Sequence, residues 1–98
     1  MQGLEVEWYR FISYGRVQHV FYRKFVSQAL MRAGFNGYVK NLDDGTVETV
    51  VFIVDEDTDL PRVLKILEEG SPMSEVEKID HEVIDDVDME TDGFEIRY

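Results

Sequence analysis

Hydrophobic and polar positions along the chain fall into seven segments separated by turn signals. Residues 4–14 are rich in aromatic and β-branched types and predict a strand. Trp8, Tyr9, Phe11 and Ile12 break strict alternation, so the pattern does not say which face is buried. Gly15 to Val20 reads as a loop. Over residues 22–33, Phe25, Val26, Ala29, Leu30 and Ala33 recur at helical spacing, and Gly34 supplies a stop. Residues 35–42 predict a second strand. Asp43-Asp44-Gly45 predicts a tight hairpin turn, because Asp-Gly readily adopts positive φ. Residues 46–54 predict a third strand, whose run Val50-Val51-Phe52-Ile53-Val54 suits the middle of a sheet.

Asp57-Thr58-Asp59 offers a helix N-cap, and Pro61 suits a first helical turn. Leu60, Val63, Leu64 and Leu67 give that helix its apolar stripe, and Gly70 with Pro72 ends it. Residues 75–84 alternate acids with Val76, Ile79, Val83 and Ile84, a fourth strand with room for a bulge. Residues 85–92 form an acidic loop, and Phe94 to Tyr98 a short strand expected at an edge. The order β-α-β-β-α-β plus a small terminal strand predicts an α+β, ferredoxin-like sandwich. Two helices would pack on one face of an antiparallel sheet. Because such a fold hosts many functions, it decides none.

Composition narrows the class. At 98 residues, 44% hydrophobic and 32% charged, the chain predicts one folded domain over residues 1–98. Without cysteine there is no disulfide framework, thiol nucleophile or cysteine-ligated zinc. His19 and His81 are the only histidines, too few and too far apart to indicate a metal site. His81 reads as an exposed or partly packed side chain. The acids of residues 85–92 lack the glycine and closing glutamate of a calcium loop. The longest uninterrupted apolar run, Val50 to Val54, is far short of a membrane span, and no secretory signal is apparent. The default expectation is a cytoplasmic protein that does not engage membranes.

A net charge of −11 opposes binding to nucleic acid phosphates. The charge is uneven, however. Residues 1–40 hold six basic and two acidic side chains, and residues 41–98 hold four basic and nineteen acidic ones. A basic island in an acidic protein suggests a local anion site, with a merely solvated acidic half as the alternative.

Two stretches carry candidate chemistry. Gly15-Arg16-Val17-Gln18-His19-Val20-Phe21-Tyr22-Arg23 leads from a strand into a helix N-terminus. Backbone N–H groups there lack helical partners, and the helix dipole favours an anion. Arg23 falls in the first turn, where its forked guanidinium can bind phosphate through two hydrogen bonds. A turn followed by a solvated arginine would look the same. In the second stretch, Gly37 to Val47, Asn41 stands at a strand end, where an asparagine commonly caps the turn.

Taken together the stretches resemble the acylphosphatase family. Its loop pattern Gly-(Arg/Lys)-Val-Gln-Gly-Val-x-(Phe/Tyr)-Arg is matched at Gly15, Arg16, Val17, Gln18, Val20, Tyr22 and Arg23. Its second pattern, Gly-(Trp/Phe/Tyr)-Val-x-Asn, a short turn, then Gly-(Thr/Ser)-Val, is matched at Gly37, Tyr38, Val39, Asn41, Gly45, Thr46 and Val47. Gly70-Ser71-Pro72 and the terminal Phe94 to Tyr98 are similar to family members as well. The resemblance implies a cofactor-independent, metal-free hydrolase, expected to be monomeric, that takes a small acyl phosphate and releases a carboxylate and inorganic phosphate. It implies phosphoryl binding by the loop amides of Gln18, His19, Val20, Phe21, Tyr22 and Arg23 and by the Arg23 guanidinium. It implies that Asn41 orients the attacking water.

The chain departs from the pattern at His19, where the family has glycine. Three consequences are open: a side chain standing harmlessly outside the loop, one that crowds the phosphate, or an imidazolium that attracts the substrate. The second of these motivates an alternative reading, a weakly active or inactive anion-binding or protein-interaction module on the same fold.

Overall fold

The computed structural model describes residues 7–85, 87 and 93–98. Residues 4–6 of the first expected strand lie outside the described residues, as do 86 and 88–92 of the expected acidic loop. In β1 (Glu7–Arg16) burial alternates despite the irregular sequence, with Tyr9, Phe11 and Ser13 turned inward. Trp8, Arg10, Ile12 and Tyr14 share the opposite face and are only partly buried. Sheet partners make the choice: Tyr9 lies opposite Val51, and Phe11 opposite Thr49. Trp8 pairs instead with Phe52 on the open face, their rings 5.0 Å apart.

The other elements follow the expected order: α1 (Tyr22–Arg32), β2 (Gly37–Asn41), β3 (Val47–Ile53), α2 (Glu56–Glu69), β4 (Glu75–Ile84) and β5 (Phe94–Arg97). The sheet runs β4-β1-β3-β2-β5. Both helices contribute to one core, with Val26 and Leu30 of α1 and Val63 and Leu67 of α2 packed against Phe11, Val39 and Val51. The α+β ferredoxin-like architecture is therefore as expected. One edge adds to it: β5 lies parallel to β2, so the five-stranded sheet is mixed. That edge brings the chain terminus alongside α1.

Three local features differ from or refine the expectations. Helix α2 starts earlier than expected, because the Asp55 carboxylate accepts the Asp57 N–H at 3.2 Å and is the N-cap. Pro61 therefore lies inside the helix rather than in its first turn. In α1, Phe25 is 41% exposed and Tyr22 takes the buried place on the stripe. The bulge foreseen in β4 is present: Tyr14 pairs with Lys78 and Gly15 with Val76, which leaves Glu77 unpaired. Gly15 is required there. At φ 119°, a Cβ on it would meet the Glu75 carbonyl oxygen at 2.2 Å. No helix among the described residues is long and apolar enough to cross a membrane.

Candidate active site

The loop between β1 and α1 is pinned by two apolar side chains. Val17 and Val20 are buried in the core, while His19 and Phe21 are exposed. Both exposed residues hold left-handed backbone, at φ 62° and 63°. Non-glycine residues adopt that region rarely, and two in one short loop are a local cost retained by the surrounding fold. His19 thus takes up the backbone shape that glycine would supply most easily.

The result is a run of unpaired donors. Among the described residues, no backbone or side-chain group accepts from the N–H groups of residues 18–24; the first amide paired is that of Phe25, which donates to the Phe21 carbonyl at 3.1 Å. Phe21 is the N-cap residue of α1 and makes no side-chain cap. Its position leaves the positive end of the helix open.

Two side chains fasten the loop from behind. Gln18 Nε2 donates to the carbonyls of Leu42 and Thr46, both at 2.8 Å, and so ties the loop to the β2–β3 hairpin. Its side chain therefore faces the hairpin. Ser71 Oγ donates to the Val20 carbonyl at 2.6 Å within the protein interior.

Arg23 is partly buried on the first turn of α1. Its Nη1 donates to the Arg97 carbonyl at 2.9 Å, and its guanidinium carbon lies 4.8 Å from the centre of the Tyr98 ring. The terminal strand thereby holds the guanidinium in place without neutralising it. Asn41 ends β2 on the side of the sheet that carries the helices. Its Oδ1 is buried and has no hydrogen-bond partner among the described residues. A buried, unpaired acceptor costs free energy unless something outside the fold satisfies it. The turn does not use it. Asp44 caps the hairpin instead, its Oδ1 accepting from the Thr46 hydroxyl at 2.6 Å and the Thr46 N–H at 3.0 Å. Those bonds, the hydroxyl's foremost, hold the Asp44 carboxyl below its usual range.

These parts converge on one cleft of about 380 Å³. His19, Phe21, Tyr22, Arg23, Lys24 and Asn41 line it, with Val17, Ile96 and Tyr98 completing the wall. Among the described residues, no Asp or Glu lines it. Of the residues singled out in the sequence, Gln18 and Val20 are not among those that line it: the Gln18 side chain is bonded to the hairpin and Val20 is buried in the core. Lys24, Ile96 and Tyr98 were not foreseen. Lys24 adjoins Arg23 in sequence and was a readable signal; the other two depend on the parallel pairing of β5.

Comparison with known proteins identifies the family and the fold. The acylphosphatase family model matches residues 9–96. An acylphosphatase of Haloarcula marismortui is 39% identical over 84 residues, 86% of this chain and 88% of that protein. An acylphosphatase of Bacillus licheniformis is 39% identical over 87 residues, 89% of this chain and 90% of that one. The crystal structure of acylphosphatase from Bacillus subtilis superposes with a TM-score of 0.80 at 33% identity, over 96% of this chain and 100% of its own. With the family model matched over most of its length and relatives covered nearly end to end, the chain belongs to the acylphosphatase family.

Proposed function

We propose that the protein hydrolyses the carboxyl–phosphate bond of small acyl phosphates, releasing a carboxylate and inorganic phosphate. The carrying observation is the meeting of unlike groups in one cleft: unpaired N–H donors and a guanidinium on one side, an unpaired buried acceptor on the other. The phosphoryl oxygens bind to the amides of residues 18–23 and to Arg23. Asn41 Oδ1 accepts a hydrogen bond from water and turns its oxygen toward phosphorus. The new P–O bond forms from water as the bond to the acyl oxygen breaks. The electron pair leaves with the carboxylate, and the water proton ends on phosphate.

Such a reaction needs little acid catalysis, because the leaving carboxylate has a pKa of roughly 4 to 5. Placing the water and meeting charge on the phosphoryl oxygens supply most of the rate gain. An amide can do the first without acting as a base. One chain carries every group that this scheme uses, so the monomer is the expected working unit.

The test is release of phosphate from benzoyl phosphate with a chelator present, with Arg23→Ala beside the wild type. Chelator-resistant turnover that disappears in the variant supports the reading. A folded wild type without turnover would replace it with an anion-binding or protein-interaction module.

A further inference from the structure

The turn after α2 touches the phosphate loop at one atom, and that contact has a directional consequence. Val20 O and the Phe21 N–H belong to the same peptide unit. The described chain has no cis peptide, so the two groups point in opposite directions. Ser71 Oγ takes the Val20 oxygen on the core side, 2.6 Å away, with Ser71 only 5% exposed. Phe21 lines the cleft, whereas neither Val20 nor Ser71 does. The Phe21 N–H is thereby turned toward the cleft side. It finds no acceptor among the described residues.

Ser71 is itself held. Its N–H donates to Ser74 Oγ at 2.9 Å, and its carbonyl accepts from that same hydroxyl at 2.9 Å and from the Ser74 N–H at 3.1 Å. The preceding Gly70 lets this turn lie close to the loop. A Cβ there would meet Ser74 Oγ at 2.4 Å and the Tyr22 ring at 2.7 Å. Gly70-Ser71-Pro72 is thus more than a helix stop. It reaches the peptide two residues before Arg23 through Ser71, and the Tyr22 ring through Gly70.

We propose that Ser71 is a positioning residue for phosphoryl binding: its hydroxyl fixes the Val20–Phe21 peptide so that the Phe21 N–H faces the anion. Without the hydroxyl, the Val20 carbonyl is a buried acceptor lacking its partner. The peptide then gains by rotating toward another donor, and the inward N–H is lost. Strain favours the same rotation, since Phe21, on one side of that peptide, sits at positive φ. The inference rests on the proposed phosphoryl role of the loop.

The experiment compares wild type, Ser71→Ala, Ser71→Thr and Ser74→Ala for benzoyl phosphate kinetics and for inhibition by inorganic phosphate. Circular dichroism and thermal melts are run on each. Ser71→Ala is expected to raise both KM and the phosphate inhibition constant about tenfold, the loss of one charge-assisted hydrogen bond, with kcat changed less than about threefold. Ser71→Thr, which keeps the hydroxyl, is expected to restore both. Ser74→Ala loosens the same turn without touching the loop, so it should lower the melting temperature and leave phosphate inhibition within about twofold. Equal effects in the two alanine variants would reduce Ser71 to turn stability and overturn the proposal. So would an active wild type whose constants Ser71→Ala does not change. A wild type that neither turns over nor binds phosphate would instead overturn the catalytic reading, and this inference with it.

Discussion

Two arginines show how the open face of the sheet and the start of α1 differ. On the open face, Arg10 is ion-paired twice, its Nε 2.5 Å from Glu48 Oε2 and its Nη1 3.1 Å from Glu82 Oε2. The hydrogen bond to Glu48 leads the causes that raise its pKa above the ordinary arginine value. Arg23, at the loop, makes no ion pair among the described residues and rests on a carbonyl and a ring. The protein is acidic, net −11, yet among the described residues no Asp or Glu lines that cleft. A fully paired charge ties strands together. An unpaired charge beside unpaired amides is held ready for a ligand.

Swapping which arginine is removed gives the largest test of that contrast. Arg23→Ala is expected to lower kcat/KM by about a thousandfold or more, the scale of an arginine serving a transferring phosphoryl group. Its stability should change by less than about 1 kcal/mol. Arg10→Ala should do the reverse, costing about 1–2 kcal/mol of stability because Glu48 is left partly buried and unpaired. Its kcat/KM should stay within about twofold. Activity assays and urea melts on the two proteins check both halves. An Arg10 variant that lost activity without unfolding would break the division of labour.

Asn41 extends the contrast to uncharged groups. Its Oδ1 is orphaned, whereas the buried Tyr22 hydroxyl is bonded to Ser13 Oγ at 2.9 Å and to the Leu67 carbonyl at 2.7 Å. Asn41→Ala is expected to lower kcat by about a hundredfold and leave phosphate inhibition within about threefold, because water placement is lost and the amide cradle is not. Full activity in that variant would remove Asn41 from the reaction.

For Tyr22 the expected effect is on stability at high pH. Burial, as the main cause, pushes its pKa up to about 12, against about 10 for an exposed tyrosine. Above pH 10 the unfolded chain releases this proton and the folded one keeps it, so unfolding becomes easier as pH rises. The contribution is intact below pH 10 and lost by pH 12. Two pH units correspond to about 2–3 kcal/mol. Tyr22→Phe lacks the group, so its stability deficit relative to wild type should shrink between pH 10 and 12. A deficit constant over that range would mean that the hydroxyl titrates alike in both states.

Much of this was legible in the sequence, for local reasons. Asp43-Asp44-Gly45 marks its turn by backbone preference, and the spacing of Val63 and Leu67 marks α2 by its period. The loop and Asn41 are visible through family patterns. What escaped depends on contacts between distant segments. The buried face of β1 was chosen by Val51 and Thr49, some forty residues on. Asp55 won the helix cap over the later acids because its carboxylate reaches the Asp57 N–H. Ile96 and Tyr98 joined the cleft only because β5 pairs with β2 in parallel. Gln18 entered the sequence reading only through its backbone amide, and its side chain serves as a tie to the hairpin. Ser71 looked like punctuation, since nothing in Gly70-Ser71-Pro72 reveals a contact with Val20.

The smallest expected effect bears on the one residue that departs from the family loop. His19 holds φ 62° without the freedom of glycine, and its side chain is exposed at the rim of the cleft. The left-handed conformation costs an ordinary residue about 1–2 kcal/mol, and glycine returns part of that through its more flexible unfolded chain. His19→Gly is therefore expected to stabilise the protein by about 0.5–1 kcal/mol, a rise of a few degrees in melting temperature. Because the backbone already has the shape that presents the amides, kcat/KM should change by less than about threefold. A gain of about tenfold or more would show that the imidazole obstructs the cleft, and a matching loss would show that it binds substrate. Either result would give the imidazole a part in the proposed site, beside the roles proposed for Arg23 and Asn41.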